Sequence, residues 1–231
     1  YIPIKDLIER QFNIPAIIEN DATAASFGEV WFELEPEVKN LLYMFSGVGC
    51  GIVIDGKVYR GATGGAGEVS IFSSNYPKED NFSCLTGNPC FLQRWSADLG
   101  MVEAAKRALL EGNSSQMGKL APNPENLTLK TVFDAAKLGD HLANQLIKDA
   151  GRRLGIKVAY LVNLLNPEVV VIGGGIEEAG STLIDEVRKS VAEWSFEEMA
   201  SSVKIVPCRL GEKSVALGAA SLVIRKIFVG M

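Results

Sequence analysis

Residues 139–175, GDHLANQLIKDAGRRLGIKVAYLVNLLNPEVVVIGGG, constrain the fold more than any other stretch of the chain. Leu142, Leu146, Ala150, Leu154, Val158 and Leu161 keep one apolar face across 139–165. That spacing predicts a single helix roughly 40 Å long. EVVVIGGG follows at once, a β-branched run stopped by three glycines. Such a run reads as a strand buried on both faces and entering a turn. A long amphipathic helix leading into a buried strand belongs to the α/β class, with strands and helices alternating.

The rest of the chain keeps that alternation. Helical spacing of Ile4, Leu7, Ile8 and Phe12 predicts a helix over 3–12, followed by a strand at 14–18 and a helix at 21–31. NLLYMFSG and GIVIDGKVYRG read as strands, the second a hairpin turning at Asp55-Gly56. Further helices are predicted at 91–111, 129–137, 178–193 and 214–228, with a strand at 203–208. Residues 73–90 read as loop, and 112–126, GNSSQMGKLAPNPEN, as a flexible one.

Composition excludes several classes. Net charge is −5 with Lys and Arg scattered, so no basic stripe suits a nucleic-acid backbone. No apolar run approaches the roughly 20 residues that span a bilayer, and no signal segment is evident. Four cysteines (50, 84, 90, 208) make no dense disulfide framework, and the cytoplasm is the default expectation. The chain opens on Tyr1 and runs almost directly into a helix, which reads as a piece of a longer protein.

Five constellations can carry chemistry. Glu19-Asn20-Asp21 ends the apolar run Ile14–Ile18. It reads as a helix N-cap, and equally as a carboxylate and amide placed where α/β sheets bind ligands, able to hold a hydroxyl and take its proton. FSGVGCGIVIDG reads as a glycine-rich hairpin or as a phosphate cradle with the Ser46 hydroxyl beside it. RGATGGAGEVS brings backbone close to something and ends on Glu68, a surface charge or a ligand contact. Cys84 and Cys90, with the single histidine His141 far along the chain, cannot complete a tetrahedral zinc shell, so no metal is expected. Gly173-Gly174-Gly175 is a strand-to-helix turn or a nucleotide-side loop, without the spacing of a Rossmann or Walker fingerprint.

The order of these pieces resembles the ROK family of bacterial sugar kinases and sugar-responsive repressors over nearly the whole chain. The resemblance rests on IPAIIENDATAASFGE, SGVGCGIVIDGKVYRGATGGAGE, a Cys-bearing loop, the 138–176 stretch and LGEKSVALGAASL. It implies an actin-like ATPase, ribonuclease-H-like fold, with residues 1–38 a remnant of the small N-terminal lobe and 39–231 the large lobe. It implies that Asn20, Asp21 and Glu68 bind sugar, with Asp21 the general base in a kinase. It assigns Ser46, Gly47, Gly49, Gly173 and Gly174 to the phosphate and nucleotide loops, and makes Cys84 and Cys90 a degenerate zinc loop.

Several family features are absent from these 231 residues. The Asp-x-Gly-Gly-Thr phosphate turn is missing, as is any helix-turn-helix. Ser70-Ile71 replaces the family's Gly-His after Glu68. The expectation is therefore the sugar-effector-binding domain of a ROK-type transcriptional regulator, without cofactor and touching DNA only through an upstream domain. The alternative is the C-terminal part of an ATP-dependent, Mg-dependent sugar kinase. A homodimer or larger even assembly, and no membrane association, are expected in either case.

Overall fold

The computed structural model describes residues 2–34, 37–46, 49–69 and 97–228. Its centre is a five-stranded sheet of β1 (Leu41–Phe45), β2 (Gly49–Ile54), β3 (Lys57–Val58), β4 (Val169–Gly173) and β5 (Lys204–Pro207), in the order β3-β2-β1-β4-β5. The meander β1-β2-β3 is antiparallel; β1, β4 and β5 run parallel. The β2–β3 turn is made by Asp55 (φ 51°) and Gly56 (φ 70°), the pair of left-handed residues that a two-residue hairpin turn favours. The α/β class and the actin-like lobe implied by the sequence are thus present, with the 169–173 strand enclosed between β1 and β5.

Alternation along the strands divides the core into two layers. Leu42, Met44, Val170 and Ile172 face a large cluster built with α3 (Ala97–Leu110), α5 (Leu129–Lys137), α6 (His141–Leu165) and α7 (Ser181–Trp194). Leu41, Tyr43, Val169 and Val171 face the other side, where Ala25 of α2 (Asp21–Phe32) and Val215 of α9 (Ser214–Phe228) pack. A strand with both faces covered must be apolar at every position, which is why EVVVIGGG reads as a continuous run.

Helix α6 has the length its periodicity predicts, 25 residues, or about 38 Å at about 1.5 Å per residue. Asp140 starts it by accepting from the Ala143 amide at 2.8 Å, and Asn166 ends it in a left-handed conformation (φ 46°) before Pro167.

Two sequence expectations are corrected. Residues 14–18 form no strand: they follow α1 (Ile4–Phe12) without a ladder partner, leaving Ile14, Ile17 and Ile18 57%, 43% and 59% exposed. A strand exists only as part of a pair, and no described residue pairs here. The 112–126 segment is ordered, with α4 (Gln116–Leu120) and a 3₁₀ turn at Pro124–Asn126. It is pinned because Asp140 accepts both the Ser115 hydroxyl (2.9 Å) and the Gln116 amide (2.6 Å), and Met117 is fully buried. A further helix, α8 (Glu197–Ser202), precedes β5.

The packing of α2 against α9 sets where the rest of α2 can lie. A Cβ on Gly218 would collide with the Ala24 carbonyl oxygen, which is backbone and cannot swing aside. Gly218→Ala is therefore expected to destabilise the fold by about 1–3 kcal/mol through overpacking. Urea unfolding checks this: the midpoint should fall with an unchanged slope, and an unchanged midpoint would contradict the close approach.

Candidate functional site

The sugar-side candidates stand at one edge of the sheet, where β1, β4 and β5 end and β2 begins. Asn20 caps α2, its side-chain oxygen accepting from the Thr23 amide at 3.1 Å. Asp21 opens the helix exposed, with Oδ1 accepting from the Ala22 amide at 2.7 Å. The capping reading of this triplet is correct, and it leaves the second Asp21 oxygen and the Asn20 amide group for other partners.

Helix α2 reaches this edge because the first two β2 positions on the face beneath it, Gly49 and Gly51, carry no side chains. Gly49 lies under the Ala22 side chain, and a Cβ on Gly51 would strike the Ala22 carbonyl oxygen and the Ser26 side chain. The other glycine loop closes on the same strand. Cys50 donates its amide to the Gly67 carbonyl at 2.8 Å, and a Cβ on Gly67 would strike the Cys50 carbonyl oxygen. Glu68 follows directly and is exposed. Residues 49–51 thus anchor both the Asn20-Asp21 pair and the Glu68 loop.

The phosphate-side candidates meet one strand further along. Ser46, in a left-handed conformation (φ 49°), donates its amide to the Gly173 carbonyl at 2.9 Å and its hydroxyl to the Gly174 carbonyl at 2.7 Å. The ends of β1 and β4 are tied together there. Gly49 pairs with Phe45, which also pairs with Gly173, so both groups of candidates share this edge. Gly47, Cys84, Cys90, Ser70 and Ile71 lie outside the described residues. Among the described residues no cluster of three or more His, Cys, Asp or Glu could hold a metal ion.

Sequence reasoning missed three polar features around this edge. Glu29, 1% exposed in α2, accepts at Oε1 from the Cys208 thiol (3.0 Å) and from the Arg209 and Leu210 amides (3.1 Å each). A charged residue inside the small and apolar run ATAASFGEVWF was the available signal. Burial, with Glu29 next in effect, pushes the Cys208 thiol up to about 12. The second feature is Glu177, after the Gly173–Gly175 turn. Burial raises its carboxyl above the ordinary range, although the Glu177 and Gly175 amides work the other way. Its Oε2 is buried without a hydrogen-bond partner among the described residues. The third is the pairing of Glu19 with Arg60 at 2.6 Å.

Comparison with known proteins identifies the family. A sequence model described as "ROK family" matches residues 1–226. The chain belongs to the ROK family. ROK relatives include the xylose repressor of Caldicellulosiruptor bescii, 32% identical over 96% of this chain and 55% of the repressor. They also include a glucokinase of Halalkalibacterium halodurans, 31% identical over 96% of this chain and 67% of that enzyme. The chain therefore spans about half to two thirds of the length of such relatives. Among solved ROK structures, a glucokinase from Streptomyces griseus in complex with glucose and AMPPNP superposes with a TM-score of 0.79 at 30% identity, over 95% of this chain and 72% of that one. A ROK transcriptional regulator, a homologue of Escherichia coli MLC, superposes with a TM-score of 0.72 at 29% identity, over 94% and 54%. Regulators and kinases thus both lie within similar distance. No helix of the described residues is long and apolar enough to cross a membrane.

The raised Glu177 carboxyl has a pH consequence. A raised folded-state pKa favours the neutral acid, so its contribution is full below the ordinary value of 4.5 and is lost as pH rises. Wild type is expected to lose stability relative to Glu177→Gln as pH climbs from 4.5 toward neutrality. Thermal melts of both across that range check it; parallel curves would place Glu177 in water.

Proposed function

We propose that this chain is the sugar-effector-binding part of a ROK-type transcriptional regulator. The observation that carries the sugar reading is the anchoring of Asn20-Asp21 and of Glu68 to the same three residues of β2. Two carboxylates and an amide at the edge where parallel strands end match a polyhydroxylated ligand, each accepting or donating to hydroxyl groups. Relatives named for xylose, glucose and N-acetylglucosamine support the ligand class.

Regulation is favoured over catalysis by Ser70-Ile71 standing where the resemblance expects Gly-His, and by a loop with two cysteines, Cys84 and Cys90. A sensor needs the sugar only as an effector, whereas phosphoryl transfer needs base, Mg²⁺ and phosphate donors positioned together. The kinase reading has its own support in the Ser46–Gly173–Gly174 junction and in the AMPPNP-bound neighbour. In that reading ATP with Mg²⁺ supplies the phosphoryl group, Asp21 takes the proton of the attacking hydroxyl, and Ser46, Gly47, Gly49, Gly173 and Gly174 form the phosphate side. Cys50 and Cys208 are buried free thiols, consistent with the cytoplasm. A homodimer and DNA contact through a further domain are part of the proposal.

Calorimetric titration with D-xylose, D-glucose and N-acetyl-D-glucosamine tests the site. One of these sugars should bind, and Asp21→Asn and Glu68→Gln should each weaken it about tenfold, the effect of one unmatched polar group. Equal affinity in wild type and both variants would place the site elsewhere. ADP release from ATP on adding the sugar, lost in Asp21→Asn, would select the kinase.

A further inference from the structure

We infer that Glu19 and Arg60 form a clasp that positions the two halves of the sugar site against each other; the inference rests on the sugar-binding reading above. Arg60 donates Nε (2.8 Å) and Nη2 (2.6 Å) to Glu19 Oε2. The other carboxylate oxygen, Oε1, accepts the Asn20 amide at 3.1 Å. One carboxylate therefore holds the backbone of Asn20 on one side and the guanidinium on the other.

Arg60 is fixed to the opposite half. Its carbonyl accepts the Ala66 amide at 3.2 Å, closing residues 60–66 into a loop. The next residue, Gly67, is seated on Cys50, and Glu68 follows. Arg60 thus holds the Glu68 loop with its backbone and the Asn20-Asp21 turn with its side chain. Among the described residues, the hydrogen bonds and ion pairs of 13–19 otherwise stay within α1, their own segment and the start of α2: Asn13 and Ala16 donate to Glu9, and Glu19 Oε1 accepts from Asn20. The clasp is the one such link from this segment to the sheet side.

The two side chains differ in exposure, 14% for Glu19 and 47% for Arg60. An ion pair this open to water contributes little to global stability. Its effect is instead on geometry: without it, the hydrogen bonds and ion pairs among the described residues tie the turn bearing Asn20 and Asp21 to the sheet side through α2 alone. The ligand class is uncharged, so salt should change sugar affinity chiefly through the clasp. The screening length falls from about 30 Å at 0.01 M salt to about 3 Å at 1 M.

Charge reversal tests this with D-xylose, D-glucose and N-acetyl-D-glucosamine as probes, titrated calorimetrically in low and high salt. Glu19→Arg and Arg60→Glu should each weaken the bound sugar about tenfold, and the double reversal should recover most of that loss, as coupled partners do. Wild-type affinity should fall with salt while the single variants, whose like charges repel at this site, should gain affinity with salt, and thermal melts should remain close to wild type. Single variants that bind as wild type, or a double variant no better than the weaker single, would overturn the clasp while leaving the sugar site standing. No binding of any probe by wild type would overturn the sugar reading and the clasp with it.

Discussion

The architecture depends on one close approach, the first turn of α2 lying directly on the bare backbone of β2. Any side chain at Gly51 would occupy the space of the Ala22 carbonyl and of Ser26. Because that space is empty, α2 packs at backbone distance and carries Asn20 and Asp21 to the sheet edge. The same helix is gripped on another side by α9, where Gly218 lies against the Ala24 carbonyl. Helix α2 is thus wedged between two backbones, and residues 22–29 are buried as a result. Small residues in ATAASFG follow from this geometry, because a dense interior has no room for larger ones.

Glu29 completes the wedge chemically. A buried carboxylate needs partners, and it finds the Arg209 and Leu210 amides just beyond β5. That joins the far end of α2 to the exit of β5, while its near end is joined to β2. Ser46 performs a related task for β1 and β4, with amide and hydroxyl both given to the glycine turn. The sheet edge is therefore a set of strand ends tied together by polar groups, and the proposed sugar-binding groups project from it. In the proposed sugar site, preorganisation of this kind would let a few hydrogen bonds discriminate among sugars.

Elements whose pattern follows from burial were legible in the sequence. The 139–165 periodicity, the EVVVIGG run and the Asp55-Gly56 turn each appear where expected, because one residue pattern fits one environment. The 14–18 run was misread because Ile-Pro-Ala-Ile-Ile has the same composition whether or not a partner strand is present. The order in 112–126 was invisible because it depends on Asp140, which reaches back to Ser115 and Gln116. Of the proposed site, Asn20, Asp21 and Glu68 are candidates from motif order, but the Glu19–Arg60 pair spans 41 positions and no local pattern announces it. Tertiary packing alone creates such pairs.

The central claim is that the start of α2 and the Glu68 loop form one ligand site on β2. Amide chemical shifts measured by NMR during titration with D-xylose, D-glucose or N-acetyl-D-glucosamine test it most directly. The account predicts that the amides of residues 20–23, 50–51 and 67–69 shift together along a single binding curve. Shifts on one of these segments without the other, or confined to residues remote from this sheet edge, would contradict it.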